Sequence, residues 1–115
     1  MAVLQFVAPI LPGKYEQWRA FHDNFLSGGA KRADWEDQMR RYNIQRQCVS
    51  LQRTPNGDFV VLFFEGPEPG AMMAGLGNSD NEFDKWFAQQ VKEVHGIDVS
   101  HAPPGPISEL VLDYS

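Results

Sequence analysis

Cysteine is nearly absent: Cys48 stands alone, so no internal disulfide can form and a reducing compartment suits the chain. Long apolar runs are missing too. The longest, Phe59 to Phe64, falls far short of the ~18 residues a membrane span needs. No basic segment precedes an apolar stretch at the start, so no signal peptide is expected. Positive charge is scarce, with a net charge of −5, and phosphate binding needs a positive surface. Histidine occurs three times, as His22, His95 and His101, never at HxH or HxxxH spacing, which argues against a local metal motif. The glycines from Gly70 to Gly77 lack both the Gly-Lys-Ser/Thr ending of a phosphate loop and the dinucleotide spacing. The expectation is a cytoplasmic protein without metal or cofactor, bound to neither nucleic acid nor membrane.

What is present describes one globular domain over residues 1–115. Hydrophobic residues make up 43% and charged residues 22%, both ordinary for a folded chain of this size. One core can be buried, but a second copy would help a chain so short. Charge is uneven: residues 1–57 carry a balance of +3 and residues 58–115 one of −8. Opposed solvated faces account for that.

Periodicity gives the elements. Val3 to Ile10 is apolar with a break at Gln5 and reads as a strand, stopped by Pro9 or Pro12. Tyr15, Trp18, His22 and Phe25 recur at steps of three and four, which predicts an amphipathic helix ended or kinked at Gly28-Gly29. A second helix fits Ala30 to Tyr42, with acids early and arginines late. Ile44 to Arg53 reads as a polar strand. Asn56-Gly57 supplies a hairpin turn, and the chain returns over Asp58 to Glu65. Ala71 to Leu76 reads as a short helix. Ser79 to Glu82 has capping-box spacing ahead of a longer helix, which Gly96 closes as a left-handed cap. After a Pro-rich connection, Ile107 to Tyr114 alternates as a last strand.

Each half is thus strand, helix, helix, strand. The fold class is α+β, a ferredoxin-like βααββααβ unit whose four-stranded antiparallel sheet carries its helices on one face. Phe59 to Phe64 does not alternate, so both faces of its strand need cover. Four helices cover one. A twin sheet is the simplest cover for the other, which predicts a homodimer through the sheet face.

Three stretches carry a family resemblance: Leu11-Pro12-Gly13-Lys14 leading into Trp18, Thr54-Pro55-Asn56-Gly57-Asp58-Phe59-Val60-Val61, and Phe83-Asp84-Lys85-Trp86-Phe87 running to Val94-His95-Gly96-Ile97-Asp98. Together they resemble an uncharacterised bacterial family of the dimeric α/β-barrel superfamily. That superfamily includes cofactor-independent quinone-forming monooxygenases, haem-degrading monooxygenases and stress-responsive proteins. The resemblance implies the fold, the dimer and a cavity between sheet and helices. Fold alone does not fix chemistry.

Among individual residues His22 stands out. It sits on the inner stripe of the first helix and could act as a base near neutral pH, or be hydrogen-bonded and inert. His95 lies in the last turn of its helix, where a cation complements the helix terminus. Arg46 and Gln47 interrupt a strand with polar groups; they either line a ligand cavity or sit at the sheet edge. Arg46 is the candidate anchor for an acidic ligand. Trp18, Trp35 and Trp86 read first as core, with Trp18 and Trp86 as candidate walls for a flat aromatic ligand. Cys48 reads as a small buried hydrophobe. The leading expectation is a small-molecule-binding protein, with cofactor-independent monooxygenation or isomerisation of a flat aromatic or polyketide-like compound as its candidate activity. The alternatives are a non-enzymatic binding or stress-related protein with a filled core, and a haem-binding or haem-degrading protein.

Overall fold

The computed structural model describes residues 2–100 and 108–114. His101 and the Pro-rich stretch around it fall outside them. Three strands and four helices follow in the order β1 (Ala2–Pro9), α1 (Tyr15–Asp23), α2 (Arg32–Arg41), β2 (Arg46–Thr54), β3 (Gly57–Gly66), α3 (Ala71–Leu76) and α4 (Glu82–His95). The strands form one antiparallel sheet, ordered β1-β3-β2. No helix among the described residues is long and apolar enough to cross a membrane.

Register decides which side chains meet. Phe6 pairs with Leu62, and Val49 pairs with the same Leu62 from the other side. Side chains alternate along a strand, so Leu4, Phe6, Val49, Leu51, Val60, Leu62 and Phe64 share one face. These sheet residues join the apolar core with the helices. The opposite face carries Val3, Val7, Phe59, Val61 and Phe63 and gives nothing to that core. Val7 on it is 53% exposed. Cys48 pairs with Phe63 on this same face and is half-buried.

The hairpin turns one residue earlier than the Asn-Gly signal predicts. Thr54 pairs with Gly57, so Pro55 and Asn56 form its tip. Pro55 suits the first turn position with its fixed φ. Gly57 still takes the positive φ, +124°. Thr54 secures the turn: its hydroxyl donates to Gly57 O at 2.8 Å and accepts from Asn56 N at 3.1 Å.

Helix α1 stops at Asp23, five residues before Gly28. Asn24 side-chain Nδ2 donates to Ala20 O at 2.9 Å, and Gly29 N bonds Leu26 O at 2.7 Å. The chain then folds so tightly that a Cβ on Gly29 would lie 2.4 Å from Asn24 O. The cap of α4 is Asn81 rather than Ser79: its side chain accepts from Asp84 N, with φ −71° and ψ 130°. Ser79 points instead at the Asp84 carboxylate, 2.7 Å away. Gly96 closes α4 in the left-handed region, as its position predicts.

The expected last strand differs most. Ile107 lies outside the described residues, and 108–114 carry no strand pairing. Ser108 N bonds Gln5 O at 2.9 Å, on the outer edge of β1, and the ladder goes no further. Val111, Leu112 and Tyr114 are 85%, 84% and 95% exposed. Among the described residues the segment forms no further ladder bonds and its apolar side chains stay exposed.

Candidate functional site

A cavity of about 370 Å³ lies between the helices and the covered face of the sheet. Its size falls in the range of small-molecule sites, roughly 300–1,000 Å³. Phe6 and Ala8 of β1, Gln47 and Val49 of β2, and Leu62 and Phe64 of β3 form its floor. Helix α1 supplies Trp18, Phe21 and His22, and Phe25, two residues past its end, continues the line that the sequence spacing marks. Helix α4 supplies Phe87, Val91 and His95 at steps of four, and α3 adds Met72, Met73 and Leu76. Exposed Arg19, Asp23 and Leu26 also border it and mark its solvent side.

Aromatic packing fixes the α1 wall. The Phe21 ring lies 5.1 Å from Phe87 and 5.5 Å from Trp86, edge to face in both cases. Phe25 stacks on Trp35 at 5.8 Å. Edge-to-face and offset pairs of this kind add about 0.5–1.5 kcal/mol each beyond burial. The stripe therefore holds its rotamers with or without a ligand.

His22 sits in this wall, 4.9 Å from Trp18 and 4.8 Å from Phe21 by ring centroid. Its Nδ1 lies 3.4 Å from Trp18 O. A carbonyl only accepts, so Nδ1 carries the proton and Nε2 keeps its lone pair. Burial pushes the imidazole down from its ordinary 6.5 to about 4, against the Trp18 carbonyl, which favours the charged form. His22 is thus neutral near pH 7.

His95 is the site residue that sequence reasoning placed elsewhere. It was expected as a cation at the helix terminus, but it is buried, and burial lowers its pKa despite a bond to Pro9 O. Nδ1 lies 2.6 Å from that carbonyl, which assigns the same tautomer as in His22. A signal existed: Phe83, Phe87, Val91 and His95 follow at steps of four, one line along a helix.

Two further lining residues carry unmet valence. Trp18 Nε1 and Gln47 Oε1 are buried without a hydrogen-bond partner among the described residues. Such groups are uncommon in folded proteins, and each costs about 1–3 kcal/mol. The structure thus brings Trp18, His22 and Gln47 together. Trp86 belongs to the outer aromatic layer, packed on Phe21 and Phe83 with the Lys31 ammonium 4.7 Å over its ring. Arg46 is elsewhere: it pairs with Glu65 on the far face of the sheet, its guanidinium 5.8 Å from the Phe63 ring. Gln47 turns to the cavity face, and the two neighbours share only a shallow pocket at the β2 edge beside α2.

Away from the cavity, Asp84 forms a second buried cluster. Arg41 Nη2 and Gln38 Nε2 donate to its Oδ1, at 2.8 and 2.9 Å. Arg41 Nη1, Tyr42 Oη and Ser79 Oγ donate to Oδ2, at 2.8, 3.1 and 2.7 Å. Burial alone would raise the carboxyl pKa; these bonds outweigh it and hold the group well below the usual carboxylate range. The cluster pins α2 and the loop after α3 to the start of α4.

Among the described residues no group of three or more His, Cys, Asp or Glu side chains could hold a metal. No family model, curated protein or solved structure matches the chain.

Proposed function

We propose that this protein binds an uncharged, flat small molecule in the cavity between α1, α4 and the sheet. The observation that carries this is the cavity itself: about 370 Å³, walled by aromatic and aliphatic groups, with unmet hydrogen-bonding valence at Trp18 and Gln47. Such a volume disfavours the reading in which side chains fill the core. The charge of the lining argues for a neutral occupant. Arg19 and Asp23 are exposed, and Arg32 is engaged with Phe25 O and Glu36. An ionised ligand would lose its hydration without a buried counter-charge. The acidic ligand expected from Arg46 loses its support, because that side chain lies on the other face.

A direct test is titration with naphthalene, followed by tryptophan fluorescence. Val91 is half-buried in the cavity wall, so Val91→Phe should fill the space and abolish binding. Undiminished binding by that variant would overturn the assignment.

The same geometry supports chemistry on the bound molecule. A neutral His22 with a bare Nε2 can accept a hydrogen bond from a phenol or enol and, as a weaker base than a free imidazole because of its burial, take the proton as the reaction proceeds. That is the first step expected of cofactor-independent oxygenation or isomerisation. His22→Ala should then remove turnover while binding persists; unchanged turnover would take His22 out of the mechanism.

The finer architecture belongs to the same proposal. A fourth strand on the β1 edge, begun at Ser108, would complete a ferredoxin-like sheet. A second copy covering Val7, Val61 and Phe63 would complete a dimeric barrel. A monomeric mass by light scattering at micromolar concentration would rule the dimer out.

A further inference from the structure

The two cavity histidines share a feature that the binding reading does not use. Each has Nδ1 tied to a backbone carbonyl, Trp18 O for His22 and Pro9 O for His95. Each therefore keeps a bare lone pair on Nε2, and neither Nε2 has a hydrogen-bond partner among the described residues. Fixing one ring nitrogen against a carbonyl sets the tautomer and orients the other nitrogen. Both rings line one cavity.

Their separation follows from the helix packing. Gln17 meets Gln90 and Glu93, Phe21 meets Trp86 and Phe87, and Phe25 meets Phe83. Helices α1 and α4 are thus antiparallel, and His22 stands near the level of Phe87. The His95 backbone is two turns further along α4, about 12 Å of axial rise at 1.5 Å per residue, and the two imidazoles are near enough for His22 to feel the charge of His95. A flat molecule with a polar group at each end can bridge them.

We propose that His22 and His95 are paired hydrogen-bond acceptors that select a neutral aromatic ligand carrying hydroxyl or N–H donors at both ends. This rests on the binding function proposed above and names its ligand class. Between the two acceptors the walls are apolar: Phe21, Phe87 and Val91 from the helices, Leu62 and Phe64 from the sheet. The occupant is therefore aromatic in the middle and donating at its ends. An ether of the same shape, with oxygen but no proton, offers these nitrogens nothing.

The test uses four probes on the intact chain, read by calorimetry: naphthalene, 2-naphthol, 2,6-dihydroxynaphthalene and 2,6-dimethoxynaphthalene. Each hydroxyl should tighten binding about tenfold, the effect of one good hydrogen bond. The dimethoxy compound should bind no better than naphthalene. His22→Phe should bring the diol to the affinity of 2-naphthol. His95→Phe would also strip Pro9 O of its donor, so His95→Asn, which keeps an N–H for that carbonyl, is the matched variant with the same expected loss. Equal binding of diol and diether, or a diol affinity indifferent to both histidine variants, would overturn the proposal while naphthalene binding upheld the cavity. No binding by any of the four would overturn the binding function with it.

Discussion

Among the described residues two buried polar clusters lie along α4, and they differ in how far they are satisfied. Near the N-terminal end, Asp84 is fully buried and its two oxygens accept from Gln38, Arg41, Tyr42 and Ser79, with only Gln38 Oε1 left without a partner. At the other end, His95 shares a cavity with His22, Trp18 and Gln47, and hydrogen-bonding capacity is left over on all four. A saturated carboxylate locks elements together. An unsaturated one beside empty space is a cost to the folded chain that a ligand can offset.

The largest way to break this contrast is Asp84→Ala. Removing the acceptor strands Arg41 and its neighbours, and breaking a buried charged network costs about 3–5 kcal/mol. Urea denaturation should show that loss with naphthalene affinity unchanged in the folded fraction. Acid should separate the two ends by pH. His22 titrates at about 4 in the fold against an ordinary 6.5. Its folded pKa is the lower one, so its contribution is complete above pH 6.5 and is lost as pH falls toward 4. Asp84 is also depressed, below an ordinary 3.8, so its contribution holds above that pH and is lost beneath it. Chemical stability against pH should therefore fall in two stages. His22→Asn should shrink the upper stage, to which the depressed His95 also contributes, and leave the lower one.

Smaller changes sharpen the same comparison. A Cβ on Gly75 would lie 2.5 Å from a Tyr42 ring carbon. Gly75→Ala should push that ring from Asp84 and cost about 1–3 kcal/mol, with a lower thermal midpoint. Gln47→Leu should have the smallest effect and the opposite sign. It removes an unpartnered buried oxygen, so stability should rise by about 1 kcal/mol while ligand affinity falls. A destabilised Gln47→Leu protein would mean that this amide is structural.

Much of the fold was legible because local pattern and tertiary need agreed. Trp18 and His22 of α1, with Phe25 just past its end, face inward as their spacing predicts. The last strand was not legible, because alternation in 107–114 records that a face could be buried and says nothing of which chain would bury it. Arg46 and Gln47 stayed open between cavity and sheet edge for a simpler reason: with a period of two, a shift of one residue exchanges the faces of a sheet, and Gln47 takes the inner place while Arg46 lies at the edge. Asp84 gave no signal, since its partners come from positions 38 to 42 and 79, joined only by folding. Capping-box spacing at Ser79 to Glu82 drew attention to the right turn but to the wrong cap. His95 was visible on its helical line, yet its place in the last turn pointed to a cation; only burial reverses that.

The open edge of β1 has a consequence for how the protein behaves in a tube. From Gln5, where Ser108 docks, β1 extends at most four residues in either direction, to Ala2 or to Pro9. Tyr114 is six residues past Ser108. Even if the segment zipped along that edge, its final residues would overrun the sheet. Unpaired edges and exposed apolar ends seek strands elsewhere. If a second copy supplies that surface, dilution and unfolding become one equilibrium, and the melting temperature rises with protein concentration.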